Sequence, residues 1–119
     1  DRDAARGQFI DAVAPMESET VVEKGLPNAF AGTTLADALP GPEATELILV
    51  GFMTHMCVSS TARVALDRGY RVTIDADACA TRNLPDGRGG VIDALTVHEV
   101  ALAELSDRFA VIARNQDWR

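Results

Sequence analysis

Cysteine is scarce in this sequence: Cys57 and Cys79 are the only two among 119 residues. Two are too few for a disulfide framework, and the polar start Asp-Arg-Asp-Ala-Ala-Arg carries no apolar signal core. Free thiols in a reducing compartment, the cytoplasm, are therefore expected. No stretch approaches the ~18 consecutive apolar residues that a membrane-spanning helix needs. Positive charge is also short, with 11 Lys and Arg against 18 Asp and Glu and a net charge of −7. Such a balance repels phosphate backbones and argues against nucleic acid. The partners left are a small-molecule substrate and further copies of the chain, a homo-oligomer. Repeats and low-complexity tracts are absent as well. What is present is 47% hydrophobic and 24% charged residues, the balance of a globular domain. The length admits one domain, residues 1–119.

Apolar, strand-like runs alternate with helical patterns, which predicts parallel βαβ architecture. Residues 3–13 are patterned as a short helix, and Thr20–Lys24 as a short strand broken by Gly25-Leu26-Pro27-Asn28. Thr33 or Thr34 caps a short helix through Leu39, which Pro40-Gly41-Pro42 stops. Glu46–Val50 is a near-continuous apolar run, the mark of a parallel strand. A helical pattern follows from Cys57 to Asp67, with Gly69 as its C′ residue. Tyr70–Ile74 reads as the next strand, Thr81–Gly87 as a loop, Val91–Leu105 as an amphipathic helix and Phe109–Ala113 as a last strand.

The segment Leu49–Arg63 carries the chemistry. It sets Cys57 just after a buried strand and in the first turn of a helix. Open α/β sheets bind ligands at the carboxyl ends of their strands. Unpaired N–H groups at a helix N-terminus favour a thiolate and can hold an oxyanion. A thiol nucleophile also needs a positive or basic neighbour. Lys24, at the end of another strand, and His55, two residues from Cys57, are the candidates. Cys79 lies amid small apolar residues and reads as packing. His55 and His98 have no ligand partners at metal spacing, so neither a metal nor a cofactor is expected.

Three ordered blocks resemble the isochorismatase-like cysteine hydrolases, the superfamily of nicotinamidases and N-carbamoylsarcosine amidohydrolases. Gly51-Phe52-Met53-Thr54-His55-Met56-Cys57-Val58, with Ser60-Thr61-Ala62-Arg63 and Gly69-Tyr70, resembles its nucleophile motif. Val22-Glu23-Lys24-Gly25, with Asn28–Thr33, resembles its lysine motif, and Asp75–Thr81 its strand-end acidic motif. The resemblance runs from about Phe9 to Phe109. It implies a three-layer α/β/α Rossmann-like sandwich with a mostly parallel sheet. It also implies a Cys57 nucleophile, Lys24 as thiolate stabiliser, and a cis Phe52–Met53 peptide. The Met53 and Cys57 N–H groups would form the oxyanion hole.

The family's third catalytic residue is an Asp at the end of its first strand. No apolar strand ending in Asp precedes Lys24. The catalytic Asp and two N-terminal strands are therefore expected outside this chain, at about 60 residues for two βαβ steps. With no initiator Met, the natural chain is expected to begin further upstream. The missing strands would lie between those of Val21 and Leu47, leaving a gap, so residues 1–119 are expected to be an incomplete folding unit.

Phe30, Phe52, Asn28 and Thr54 are the expected substrate contacts, with Met56 a further candidate for the pocket wall. Asp77 is expected to bond loop N–H groups. Leu102, Leu105 and Trp118 are candidates for an interface. The expected activity is hydrolysis of a small amide through a thioester. Two alternatives stand beside it: vinyl-ether cleavage of the isochorismatase type, which needs no cysteine, and a non-catalytic, ligand-binding relic.

Overall fold

The computed structural model describes residues 8–115. The elements run α1 (Leu35–Ala38), β1 (Glu46–Phe52), a π-helical turn (Thr54–Val58), α2 (Ser59–Asp67), β2 (Arg71–Ala80), β3 (Leu84–Pro85), β4 (Val91–Ile92), α3 (Ala94–Arg108) and β5 (Val111–Ala113). Asp11–Val13 and Pro42–Ala44 are single 3-10 turns. The main sheet has the order β1-β2-β5, and both pairings are parallel. β3 and β4 form a separate antiparallel ribbon.

Alternation along the strands divides the sheet into two unlike faces. Val72, Ile74 and Ala76 of β2, with Leu47, Leu49 and Ile112 beside them, pack against Ala62 and Ala65 of α2 and Leu102 and Leu105 of α3. Ile74, Leu102 and Leu105 are fully buried. Each such side chain contributes about 1.5–3 kcal/mol of transfer free energy. On the opposite face Ile48, Val50 and Val111 stand at the surface, 46%, 57% and 66% exposed. Among the described residues, helices cover one face of the sheet.

Several boundaries differ from expectation. Thr20–Lys24 is not a strand: among the described residues no strand lies beside it to form a ladder. The predicted helix over residues 3–13 is a 3-10 turn at Asp11–Val13, and residues 3–7 lie outside the described ones. β1 continues two residues past Val50, to Phe52.

β2 runs from Arg71 to Ala80, six residues past the predicted end at Ile74, and is wound into a bulge. Leu49 faces Ile74 while Gly51 faces Cys79. The Asp75 carboxylate makes the bulge possible by accepting from the N–H groups of Asp77 (3.1 Å) and Ala78 (3.3 Å). Gly51 sits at φ +114°, a conformation that side-chain-bearing residues avoid.

α3 starts at Ala94 rather than Val91, which belongs to β4. Asp93 sets the start by capping: Oδ1 accepts from Thr96 N (3.0 Å) and Oδ2 from the Thr96 hydroxyl (2.6 Å). Those bonds, the hydroxyl's first, hold the Asp93 carboxyl below the usual carboxylate range. Leu102 and Leu105 are core residues and not an interface; Trp118 lies outside the described residues.

Candidate active site

β1 delivers the chain to the site, the Phe52–Met53 peptide is cis, and the π-helical turn follows at once. Cys57 therefore lies inside that turn and not in the first turn of α2, as the helical pattern had predicted. π-turns of this kind recur at functional sites because one extra residue re-aims the side chains. The Met53 carbonyl gathers the turn by accepting from Met56 N (2.9 Å) and Val58 N (3.3 Å).

Lys24 Nζ lies 3.2 Å from Cys57 Sγ and donates to the Leu26 carbonyl at 3.1 Å. The lysine thus sets a positive charge beside the sulfur. The lysine loop is held by anchors further along it. Thr61 Oγ1 accepts from Ala29 N (3.0 Å), and Asn28 Oδ1 accepts from Phe30 N (3.0 Å). Phe30 is buried and stacks on Tyr70, with ring centroids 6.1 Å apart. Thr61 was not singled out from the sequence, although a hydroxyl on the buried face of a helix start was the available sign.

Lys24, Cys57, Leu49, Val50, Phe52 and Thr61 line one cleft of about 250 Å³. The cleft thus sets a cation and a sulfur in a largely apolar wall. Phe52 is 75% exposed beside that cleft. Asn28, His55 and Met56 line a neighbouring cleft of about 510 Å³ together with Arg63.

Two of the expected substrate contacts lie elsewhere. Phe30 is a core residue, and Thr54 is fully buried, bonded to the Ala80 carbonyl and to His98. Neither lines a described cleft, because each side chain has its partners inside the protein.

His55 Nδ1 pairs with Thr81 Oγ1 at 2.5 Å and is not a partner of Cys57. Asp77 accepts from Asn115 N (2.6 Å), fastening the end of β5 to the bulge. Burial pushes the Cys79 thiol above its ordinary value. A backbone hydrogen bond at Gly51 opposes the rise and the Asp75 charge adds to it. Both cysteines are free. Among the described residues no three His, Cys, Asp or Glu side chains cluster as a metal site would require. No helix of the described residues is long and apolar enough to cross a membrane.

The family model described as "Isochorismatase domain" matches residues 1–117. A secreted isochorismatase effector of Verticillium dahliae is 37% identical over 110 residues, 92% of this chain and 55% of its own length. Nicotinamidase 3 of Arabidopsis thaliana is 34% identical over 94 residues, 79% of this chain and 42% of its own. The crystal structure of an isochorismatase from Pseudomonas putida KT2440 superposes with a TM-score of 0.87 at 44% identity, covering 96% of this chain and 58% of that one. The chain spans about half the length of the curated relatives it matches first, 54–56% of each.

Proposed function

Because the chain belongs to the isochorismatase family of hydrolases, we propose that it hydrolyses the C–N bond of a small amide with Cys57 as nucleophile. The observation that carries this reading is the 3.2 Å approach of the Lys24 ammonium to the Cys57 sulfur inside one cleft. The thiolate attacks the carbonyl carbon, and the oxygen takes the negative charge beside the N–H groups of Met53 and Cys57. The tetrahedral intermediate expels the amine, which leaves with the proton first taken from the thiol. Water then hydrolyses the thioester and frees the sulfur. Lys24 sets its positive charge beside the sulfur while the proton is away. Phe52 supplies the apolar wall beside the nucleophile, and Asn28 lines the adjoining cleft.

The proton carrier in this proposal is a carboxylate from polypeptide outside residues 1–119. The same polypeptide would cover the bare face carrying Ile48 and Val50, completing the three-layer sandwich. A surface of this apolar character calls for cover. On this reading residues 1–119 are the nucleophile-bearing part of one hydrolase domain, which works as a homo-oligomer. Two free thiols suit the reducing cytoplasm.

The test is ammonia or amine release by the whole protein from a panel of small amides, run beside Cys57→Ala. Loss of more than about 1000-fold in kcat is expected, the scale on which removing a covalent nucleophile acts. A Cys57→Ala protein that kept a comparable rate would end the covalent reading.

A further inference from the structure

Thr54 Oγ1 stands 3.1 Å from the Ala80 carbonyl oxygen and 2.9 Å from His98 Nδ1. A hydroxyl owns one proton. The Ala80 carbonyl accepts and cannot donate, so that proton goes to Ala80. Thr54 must then receive a hydrogen from His98, and Nδ1 is the protonated nitrogen of the ring. This holds for the neutral ring as well as for the imidazolium. The opposite tautomer would set two acceptors, Ala80 O and His98 Nδ1, against the single hydroxyl proton of the fully buried Thr54. One of them would then lose its bond to Thr54.

The three groups come from three elements. Thr54 opens the π-helical turn and precedes Cys57 by three residues, Ala80 closes β2 opposite Phe52, and His98 lies on the second turn of α3. One hydroxyl thus joins the base of the cysteine turn to a strand end and to a helix. We propose that His98 is a positioning residue for the reaction: its Nδ1–H holds Thr54, and through Thr54 the turn that presents Cys57 to Lys24. The proposal rests on Cys57 being the nucleophile. The second histidine of the chain, His55, pairs with the half-buried Thr81 and is a separate tether.

The experiment is made on the whole protein and reads three things. Nitrogen-15 NMR is expected to show His98 with hydrogen on Nδ1. His98→Leu should slow iodoacetamide alkylation of Cys57, and lower kcat, each roughly tenfold with KM little changed, since small displacements of a reacting group act on this scale. His98→Asn places an amide N–H where Nδ1–H was and should bring both rates back to within about threefold, the worth of a modest hydrogen-bond difference.

Hydrogen on Nε2 alone would overturn the proposal. So would a folded His98→Leu protein with unchanged alkylation, or an Asn variant as slow as the Leu one. Should His98→Leu not fold, Thr54→Ser and Thr54→Val pose the same question, with the serine expected to retain the alkylation rate and the valine to lose it. Equal rates in those two would count against the clamp. A whole protein that hydrolysed no amide would instead sink the functional reading while the tautomer and alkylation results stood.

Discussion

Lys24 donates to the sulfur of Cys57 across 33 positions of sequence, and neither residue belongs to a strand or an α-helix. The contact depends on the lysine loop being docked, and three features dock it: Phe30 in the core, Ala29 N on the Thr61 hydroxyl, and the Asn28 turn. Lys24 itself is exposed, so its ordering follows from these anchors rather than from burial.

Lys24→Met keeps most of the side chain's reach and removes its charge. Alkylation of Cys57 by iodoacetamide at neutral pH is expected to slow by roughly tenfold, the lower end of what a neighbouring opposite charge does for an ionisable group. Mass spectrometry of the labelled peptide measures it. An unchanged rate would mean that the ammonium does not govern the reactivity of the sulfur.

Cys79 should behave in the opposite way. Burial, opposed by the backbone at Gly51 and aided by the Asp75 charge, raises its thiol above the ordinary value of 9.0. It stays protonated at neutral pH and is expected to label far more slowly than Cys57. The sign for stability follows from proton counting: between the unfolded and folded values the native state holds the extra proton. The contribution of Cys79 is therefore complete below about pH 9 and fades as pH rises through the raised value. Urea midpoints against pH check this, because Cys79→Ala should lose less stability above pH 9 than the parent. Parallel curves would contradict it.

Asp75 shapes the end of β2. Asp75→Ala takes the side-chain acceptor from the N–H groups of Asp77 and Ala78, which lie at the surface beside the buried Asp75. A loss of about 1 kcal/mol is expected, because water can take up the freed N–H groups. Asp75→Asn, which retains one acceptor oxygen, should lose less. Urea denaturation of the two variants separates them, and equal losses would show that the carboxylate acts by charge and not by filling the bulge.

Much of this architecture was legible in the residues. The apolar run from Glu46 to Val50 marked β1, Gly69 marked the end of α2 with φ +89°, and the spacing of Ala101, Leu102 and Leu105 marked the buried side of α3. Periodicity reports which positions face hydrocarbon, and those signals are local. The pairing of Lys24 with Cys57 was reached through motif resemblance, since no local pattern measures a distance across 33 residues.

The misses share one cause. Thr20–Lys24 has the residues of a strand, but among the described residues no strand lies beside it, and a strand exists only as half of a pair. The bulge in β2 needs Asp75 to turn back on its own backbone, and the π-turn inserts a residue that a period of 3.6 cannot reveal. Phe30 and Thr54 looked like pocket residues by type and were taken up by the interior instead.

What the sequence determined by itself was the alternation of strand and helix, the charge, and the presence of a cysteine and a lysine in recognisable surroundings. Tertiary structure alone decided which groups meet. Hydrogen bonds of about 3 Å, such as those of Thr54 with Ala80 and His98, depend on the packing of elements distant in the chain. That packing is a property of all the side chains at once and is written in no single segment.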